Sequence, residues 1–278
     1  MRIVVTGANG YLGQGVVKQL LDDGHTVIAV DFAGTFVDSR AIVKACDMFQ
    51  VEDPYTSFDC PDVLLHMAWR NGFVHNDESH MLDLPKHYSF IQKFVDGGVK
   101  HVAVMGTMHE VGFFEGCSRE DTPTHPMNLY GISKDALRNA VKLLCEQNQC
   151  IFQWLRGFYI VGNAAHGNSI FSKIYAAAQN GQETFPFTTG QNQQDFIDYQ
   201  EFCVQVAAAV AQDEVNGIIN ICNGRPEKLA DRVERFIQEN GFAISLDYGK
   251  FPDRKYDSKA VWGDSEKIMK ILDNRRSN

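Results

Sequence analysis

The chain has 278 residues, of which 44% are hydrophobic and 22% charged, and a formal charge of −9. That is ordinary for a globular protein with a large core, and the acidic balance argues against broad nucleic-acid binding, which needs a basic face. Seven cysteines at 46, 60, 117, 145, 150, 203 and 222, with no CxxC pair, argue against a disulfide frame or a metal site. No apolar run approaches a membrane span, and the N-terminus enters a strand pattern at once, without a signal peptide. The expected setting is the cytoplasm, with neither membrane nor nucleic acid as partner.

Apolar runs at 2–6, 26–30, 42–46, 62–67, 100–106 and 151–156 read as strands, and helical patterns fill 11–23, 79–96 and 127–149. The alternation predicts an α/β fold with a doubly wound parallel sheet, the Rossmann arrangement. After Gly162 the rhythm changes. A polar stretch precedes a helix at 170–180, a strand at 184–188, a Gly/Gln/Asn loop at 190–194, a helix at 199–211 and a strand at 218–222. Residues 226–240, 243–248 and 264–272 read as helix, strand and helix. The expected organisation is a dinucleotide-binding domain over 1–162 and a small α/β substrate cap over 163–278 whose chain crosses back to the main sheet.

Two motifs carry chemistry. The first is Thr6-Gly7-Ala8-Asn9-Gly10-Tyr11-Leu12-Gly13, between the first strand and first helix. Its glycines allow a tight turn and let a pyrophosphate approach backbone N–H groups at a helix N-terminus. The second strand runs into Asp31. An acidic side chain there suits ribose hydroxyls and repels a 2′-phosphate, favouring NAD over NADP, though NADP stays open. The second motif pairs Tyr130 with Lys134 in a predicted helix. Four residues of spacing put both on one face, one turn apart. An ammonium beside a phenol favours the phenolate, so the tyrosine can exchange a proton with an alcohol oxygen near neutral pH.

With both motifs present, the chain resembles the extended short-chain dehydrogenase/reductase family, and within it the NAD-dependent epimerase/dehydratase branch that acts on nucleotide-activated sugars. The resemblance implies a catalytic hydroxyl at Thr107 in Val104-Met105-Gly106-Thr107-Met108-His109-Glu110-Val111-Gly112, which is similar to the family's SSxxxYG stretch. It makes Tyr130 the acid/base, Lys134 its helper and the holder of the nicotinamide ribose, and Thr107 the orienting group. It gives Asp47 and the N–H of Met48 the adenine site, with a simple turn aspartate as the alternative. His66-Met67-Ala68-Trp69 is similar to the family's HxAA segment, so Met67 and Ala68 would line the cofactor phosphates. His66 and Arg156 read as structural.

Departures from the family pattern narrow the reaction. Family dehydratases place Asp-Glu after the catalytic threonine; here Met108 and His109 stand there, which argues against dehydration and makes them substrate contacts. Trp69 replaces a small residue and would project into the cleft, with Arg70 either a phosphate ligand or a surface arginine. Asn168 falls where relatives hold the substrate diphosphate. Gln194 replaces an arginine in a stretch similar to RDFIHV, and Arg254 is a candidate to restore the charge.

The resemblance thus implies hydride transfer at carbon four of a nucleoside-diphosphate sugar. A short cap favours an NAD(P)H-dependent 4-ketoreductase of a 6-deoxy-4-keto sugar nucleotide. The alternatives are an NAD-dependent 4-epimerase, supported by Asp31, and a non-catalytic dinucleotide-binding sensor or scaffold. By the same resemblance the chain forms a homodimer through the helices at 79–96 and 127–149.

Overall fold

Short β-branched runs, such as Ile3-Val4-Val5 and Val27-Ile28, form strands buried on both faces, as a parallel sheet covered by helices requires. The computed structural model describes residues 1–162, 164–167, 169–252 and 258–277. Its main sheet has seven parallel strands: β1 (Arg2–Thr6), β2 (Thr26–Asp31), β3 (Ile42–Ala45), β4 (Val63–His66), β5 (His101–Thr107), β6 (Ile151–Gly157) and β7 (Gly217–Ile221). The spatial order is β7-β6-β5-β4-β1-β2-β3. Val4 of β1 pairs with Ile28 on one side and Leu64 on the other. The order reverses at β1, and in such sheets ligands bind beyond the carboxyl ends of the strands at that point.

Helices α1 (Gly13–Asp22), α2 (Ser79–Gly97), α3 (Leu129–Gln147), α4 (Ile170–Gln179), α5 (Tyr199–Val210), α6 (Leu229–Glu239) and α7 (Glu266–Ser277) complete the layers. One face of the sheet is covered by α1, α5 and α7 through Val16, Leu20, Phe202, Val206, Ile268 and Ile271. The other is covered by α2 and α3 through Phe90, Phe94, Leu137 and Val141. Among the described residues no helix is long and apolar enough to cross a membrane.

The predicted strands and helices appear with ends shifted by a few residues. The first helix starts at Gly13 rather than residue 11, because the glycine turn consumes the intervening residues. The strand expected at 184–188 covers Thr184–Pro186. Several short strands escaped the sequence reading. Gly116–Ser118 pairs with Ala260–Gly263, which pairs with Gln193–Gln194, where a loop was expected. Tyr159–Val161 pairs with Phe196–Asp198. Strands of two or three residues leave no readable alternation. The C-terminal residues have their own core, with Phe171, Ile174, Phe196, Val233 and Phe236 packed together.

Candidate active site

A cleft of about 1370 Å3 opens at the carboxyl ends of β1, β2, β4 and β5 and reaches the C-terminal layer. Its floor is the glycine turn. Gly7 has φ +71°, and a Cβ there would lie 2.8 Å from the backbone of Ala68. A Cβ on Gly13 would lie 2.1 Å from the Gly7 carbonyl oxygen. Only glycine lets the turn close this tightly against β4 and α1. The Gly10 N–H donates to Gly7 O at 3.1 Å. Gly7, Gly10, Tyr11, Leu12 and Gly13 line the cleft, and Asn9 braces its rim: its Oδ1 accepts the Phe36 N–H at 2.8 Å. The Tyr11 phenol donates to Gly162 O at 2.7 Å and the Tyr199 phenol to Tyr11 O at 2.7 Å, tying the turn to the chain beyond β6.

Asp31 ends β2 at the cleft rim. Its carboxylate accepts the N–H of Asn9 at 3.0 Å and of Phe32 at 2.7 Å, which fixes its orientation. Asp47 caps the turn Met48–Gln50 by accepting the Phe49 N–H at 3.0 Å, and both Asp47 and Met48 line the cleft. The crowded turn, the fixed carboxylate and the size of the cleft fit a dinucleotide. Met67 and Ala68 line the cleft beside the glycine turn, and their N–H groups donate to Thr6 Oγ1, each at 3.2 Å.

Thr107, Tyr130 and Lys134 meet at the other end. Asn128 caps α3, its Oδ1 accepting the Gly131 N–H at 2.8 Å. The Tyr130 N–H donates to His75 O at 2.9 Å and the Leu129 N–H to Asn76 Oδ1 at 3.2 Å, so the loop at 71–77 satisfies free donors of the first turn. Thr107 ends β5, its Oγ1 accepting the His109 N–H at 3.3 Å. A hydrogen bond from the Thr107 side chain reaches the Tyr130 phenol. The Lys134 ammonium, 2% exposed, donates to Met105 O at 2.7 Å.

The expected lowering of the Tyr130 pKa by Lys134 is absent. Burial pushes the phenol up to about 12, against the Thr107 hydrogen bond and with a small push from Glu110. Burial lowers Lys134 to about 7, opposed by Glu110. At this pair the cost of holding charge away from bulk water exceeds the mutual attraction of the two groups.

The remaining sequence candidates divide. Trp69 and Met108 line the cleft, as does His109, whose ring lies 4.3 Å from that of His75. Trp69 is engaged inward: its Nε1–H donates to His80 Nδ1 at 2.9 Å and its ring stacks on His87 at 4.4 Å. Arg70 sits at the rim, paired with Asp83 at 2.5 Å, so its charge is spent within the protein rather than held free for a phosphate. Gln194 lines the far wall from the short strand at 193–194. Asn168 and Arg254 lie outside the described residues. Among the described residues no cluster of His, Cys, Asp or Glu could hold a metal ion, and the seven cysteines are free thiols.

Sequence reasoning missed two groups. The first is Glu110, fully buried, which accepts from the Thr107 N–H at 2.8 Å, Trp154 Nε1–H at 2.6 Å and Arg138 Nη1 at 3.1 Å, with Arg156 at 3.6 Å. The second is the histidine set. His80 and His87 stand two turns apart on α2, a spacing that could have flagged a shared face. Thr6 Oγ1 lies 2.9 Å from His66 Nδ1, and His66 Nε2 lies 2.9 Å from His87 Nδ1. Because Thr6 Oγ1 already accepts two N–H groups, its hydroxyl donates to His66, which then donates to His87.

Residues 3–222 match the family model described as the NAD dependent epimerase/dehydratase family. The chain belongs to that family, and is by that membership an NAD-dependent oxidoreductase with NAD as cofactor. It is 41% identical over 270 residues to a dTDP-6-deoxy-L-talose 4-dehydrogenase (NAD(+)) from Aggregatibacter actinomycetemcomitans, covering 95% of this chain and 99% of that protein. A solved UDP-N-acetylglucosamine 4-epimerase from Methanobrevibacter ruminantium superposes with a TM-score of 0.84 at 19% identity, over 97% of this chain and 91% of that one. A dTDP-glucose 4,6-dehydratase from Streptomyces venezuelae, solved with NAD, gives 0.82 at 19% identity over 97% and 90%. At such identity these structures speak to the fold.

Proposed function

We propose that this chain interconverts a 6-deoxy-4-keto dTDP-sugar and its 4-hydroxy counterpart, with NAD as hydride carrier. The observation that carries the reading is the meeting of Thr107, Tyr130 and Lys134 in the cleft that the glycine turn and Asp31 open. The 41% identical relative, a 4-dehydrogenase of a 6-deoxy sugar nucleotide, supports the substrate class. The expected ketoreductase is this reaction in its reducing direction.

NAD, when bound, supplies the hydride or accepts it. Tyr130 gives a proton to the oxygen on carbon four during reduction and removes it during oxidation. The Thr107 hydroxyl donates a hydrogen bond to the same oxygen and orients it. The high phenol pKa suits the proton-donor state. Lys134, with two protons free beyond its bond to Met105 O, holds the nicotinamide ribose and stabilises the phenolate as it forms. His109 and Met108 flank the sugar where dehydratases carry carboxylic acids, so oxidoreduction proceeds without loss of water. Gln194, on the far wall, stands at the diphosphate end.

In the same reading, residues 1–162 bind the cofactor and 163–278 the sugar nucleotide, with α5 and β7 returning to the main layers. Two copies pair through α2 and α3, whose Leu82 and Leu143 are exposed; light scattering at assay concentration reads a dimer, and a monomer counts against it.

The direct test incubates the protein and NADH with a dTDP-4-keto-6-deoxy sugar. One NADH is consumed per sugar reduced, and Tyr130→Phe loses at least about a hundredfold in turnover. A steady NADH absorbance while two sugar epimers interconvert, or full turnover by the phenylalanine variant, removes this reading.

A further inference from the structure

Lys134 lies 4.1 Å above the ring of Trp69, within the range of a cation–π contact. Trp69 follows the Thr6-anchored Ala68, and three further contacts hold its indole. The ring stacks on His87 at an interplanar angle of 14°, its Nε1–H is bound to His80, and its edge meets the Tyr130 ring at 6.2 Å. His80 is itself fixed, with Nε2 3.0 Å from Val74 O. The indole is therefore clamped before any ligand arrives.

We propose that Trp69 is a positioning residue, an aromatic seat that keeps the Lys134 ammonium protonated and aimed along the Tyr130 side of the cleft. The need for such a seat follows from the surroundings. From the turn after β5, Glu110 acts on Lys134, the one carboxylate to do so among the described residues, and it is engaged by Arg138, Arg156, Trp154 and the Thr107 N–H. From β4 and α2 come His66 and His87, both held neutral by burial and by Lys134 itself. Arg70 and Lys86, at the rim of α2, add positive charge near His87 and are paired with Asp83. Tyr130 and Thr107 are uncharged neighbours. Among the described residues no carboxylate pairs directly with Lys134, so burial drives it toward its neutral form. The negative face of an indole offsets part of that cost without adding a titratable group. The neutral imidazole of His87 stacks on the same ring without competing as a cation.

The inference rests on Lys134 serving the proposed site, but its test needs neither substrate nor cofactor, so its failure leaves the proposed reaction standing. The protein is labelled with ε-13C lysine, and the Lys134 signal is assigned by its absence from Lys134→Met. Its titration is then followed by NMR in the parent, Trp69→Phe and Trp69→Leu. The Leu variant is expected to lower the Lys134 midpoint by roughly half to one pH unit, and the Phe variant by a smaller step. The alkaline limb of the kcat profile should move to lower pH in the same order. An unchanged midpoint in the Leu variant, or an equal fall in both, overturns the proposal. Should Trp69→Leu give a collapsed spectrum, Trp69→Phe decides alone: a lower midpoint supports the seat and an unchanged one removes it.

Discussion

Trp154 donates its indole N–H to Glu110 Oε1 at 2.6 Å, beneath the backbone of Thr107, whose N–H donates to the same oxygen. The same carboxylate faces the guanidinium groups of Arg138 and Arg156, and neither Glu110 nor Arg156 touches solvent. Removing one partner of a buried ion pair strands the others. Glu110→Ala should cost about 3–5 kcal/mol in urea unfolding, and Glu110→Gln less, because the amide oxygen still accepts from Trp154 and Thr107. A loss below about 1 kcal/mol for the alanine variant would show the cluster to be energetically idle.

Acid should unfold this protein through its histidines. His66 is held well below the usual imidazole range by burial and by the nearby His87 and Lys134, and His87 falls to about 3 for the same reason of burial. Below the unfolded value of 6.5 the unfolded chain binds protons that the folded state refuses. Stability is full above that pH and drains as pH falls toward the folded values. Each histidine contributes a slope of about 1.4 kcal/mol per pH unit in that window. Urea midpoints from pH 7 to 4 should drop accordingly, and His87→Gln should flatten the drop by one histidine's share. A parallel profile for the variant would refute the assignment.

Asp31 should set cofactor choice. Its carboxylate is oriented by two backbone donors, so it cannot swing away from a 2′-phosphate. Asp31→Ser removes the repulsion while keeping a small acceptor. The ratio of NADPH to NADH dissociation constants, read by fluorescence titration, should fall at least about tenfold. If the ratio stays put, another residue discriminates.

Lys134 should destabilise the ligand-free protein in a pH-dependent way. Its value drops from 10.5 to about 7 on folding because it is buried. Below pH 7 the full penalty for burying the charge applies. Between about 7 and 10.5 the unfolded chain holds more protons than the folded one, so stability climbs with pH and the penalty fades. Lys134→Met should therefore raise the thermal midpoint clearly at pH 6.5 and hardly at pH 10. An equal gain at both values would mean that packing, not charge, is responsible.

The main sheet was legible because parallel strands read as unbroken apolar runs, and because Gly7, Gly13, Tyr130 and Lys134 occupy spacings that few other structures require. Glu110 was illegible: its partners Trp154, Arg138 and Arg156 come from β6 and α3, and no local spacing joins them. The tuning of Tyr130 was misread for a related reason, since a four-residue interval shows proximity but not burial, and burial decides the sign. Arg70 was ambiguous in the sequence because its partner Asp83 lies in α2, beyond the loop at 71–77, and no regular spacing joins the two.

The outermost strand of the cofactor sheet, β7, is made from Gly217–Ile221, long after the other six. During synthesis β6 must therefore wait with its hydrogen-bonding edge bare while the residues between it and β7 emerge. A fragment ending near Gly162 would carry that raw edge permanently and would tend to pair with its own kind. The first 162 residues are thus expected to depend, for a sealed sheet, on the late-made strand that returns to cover their edge.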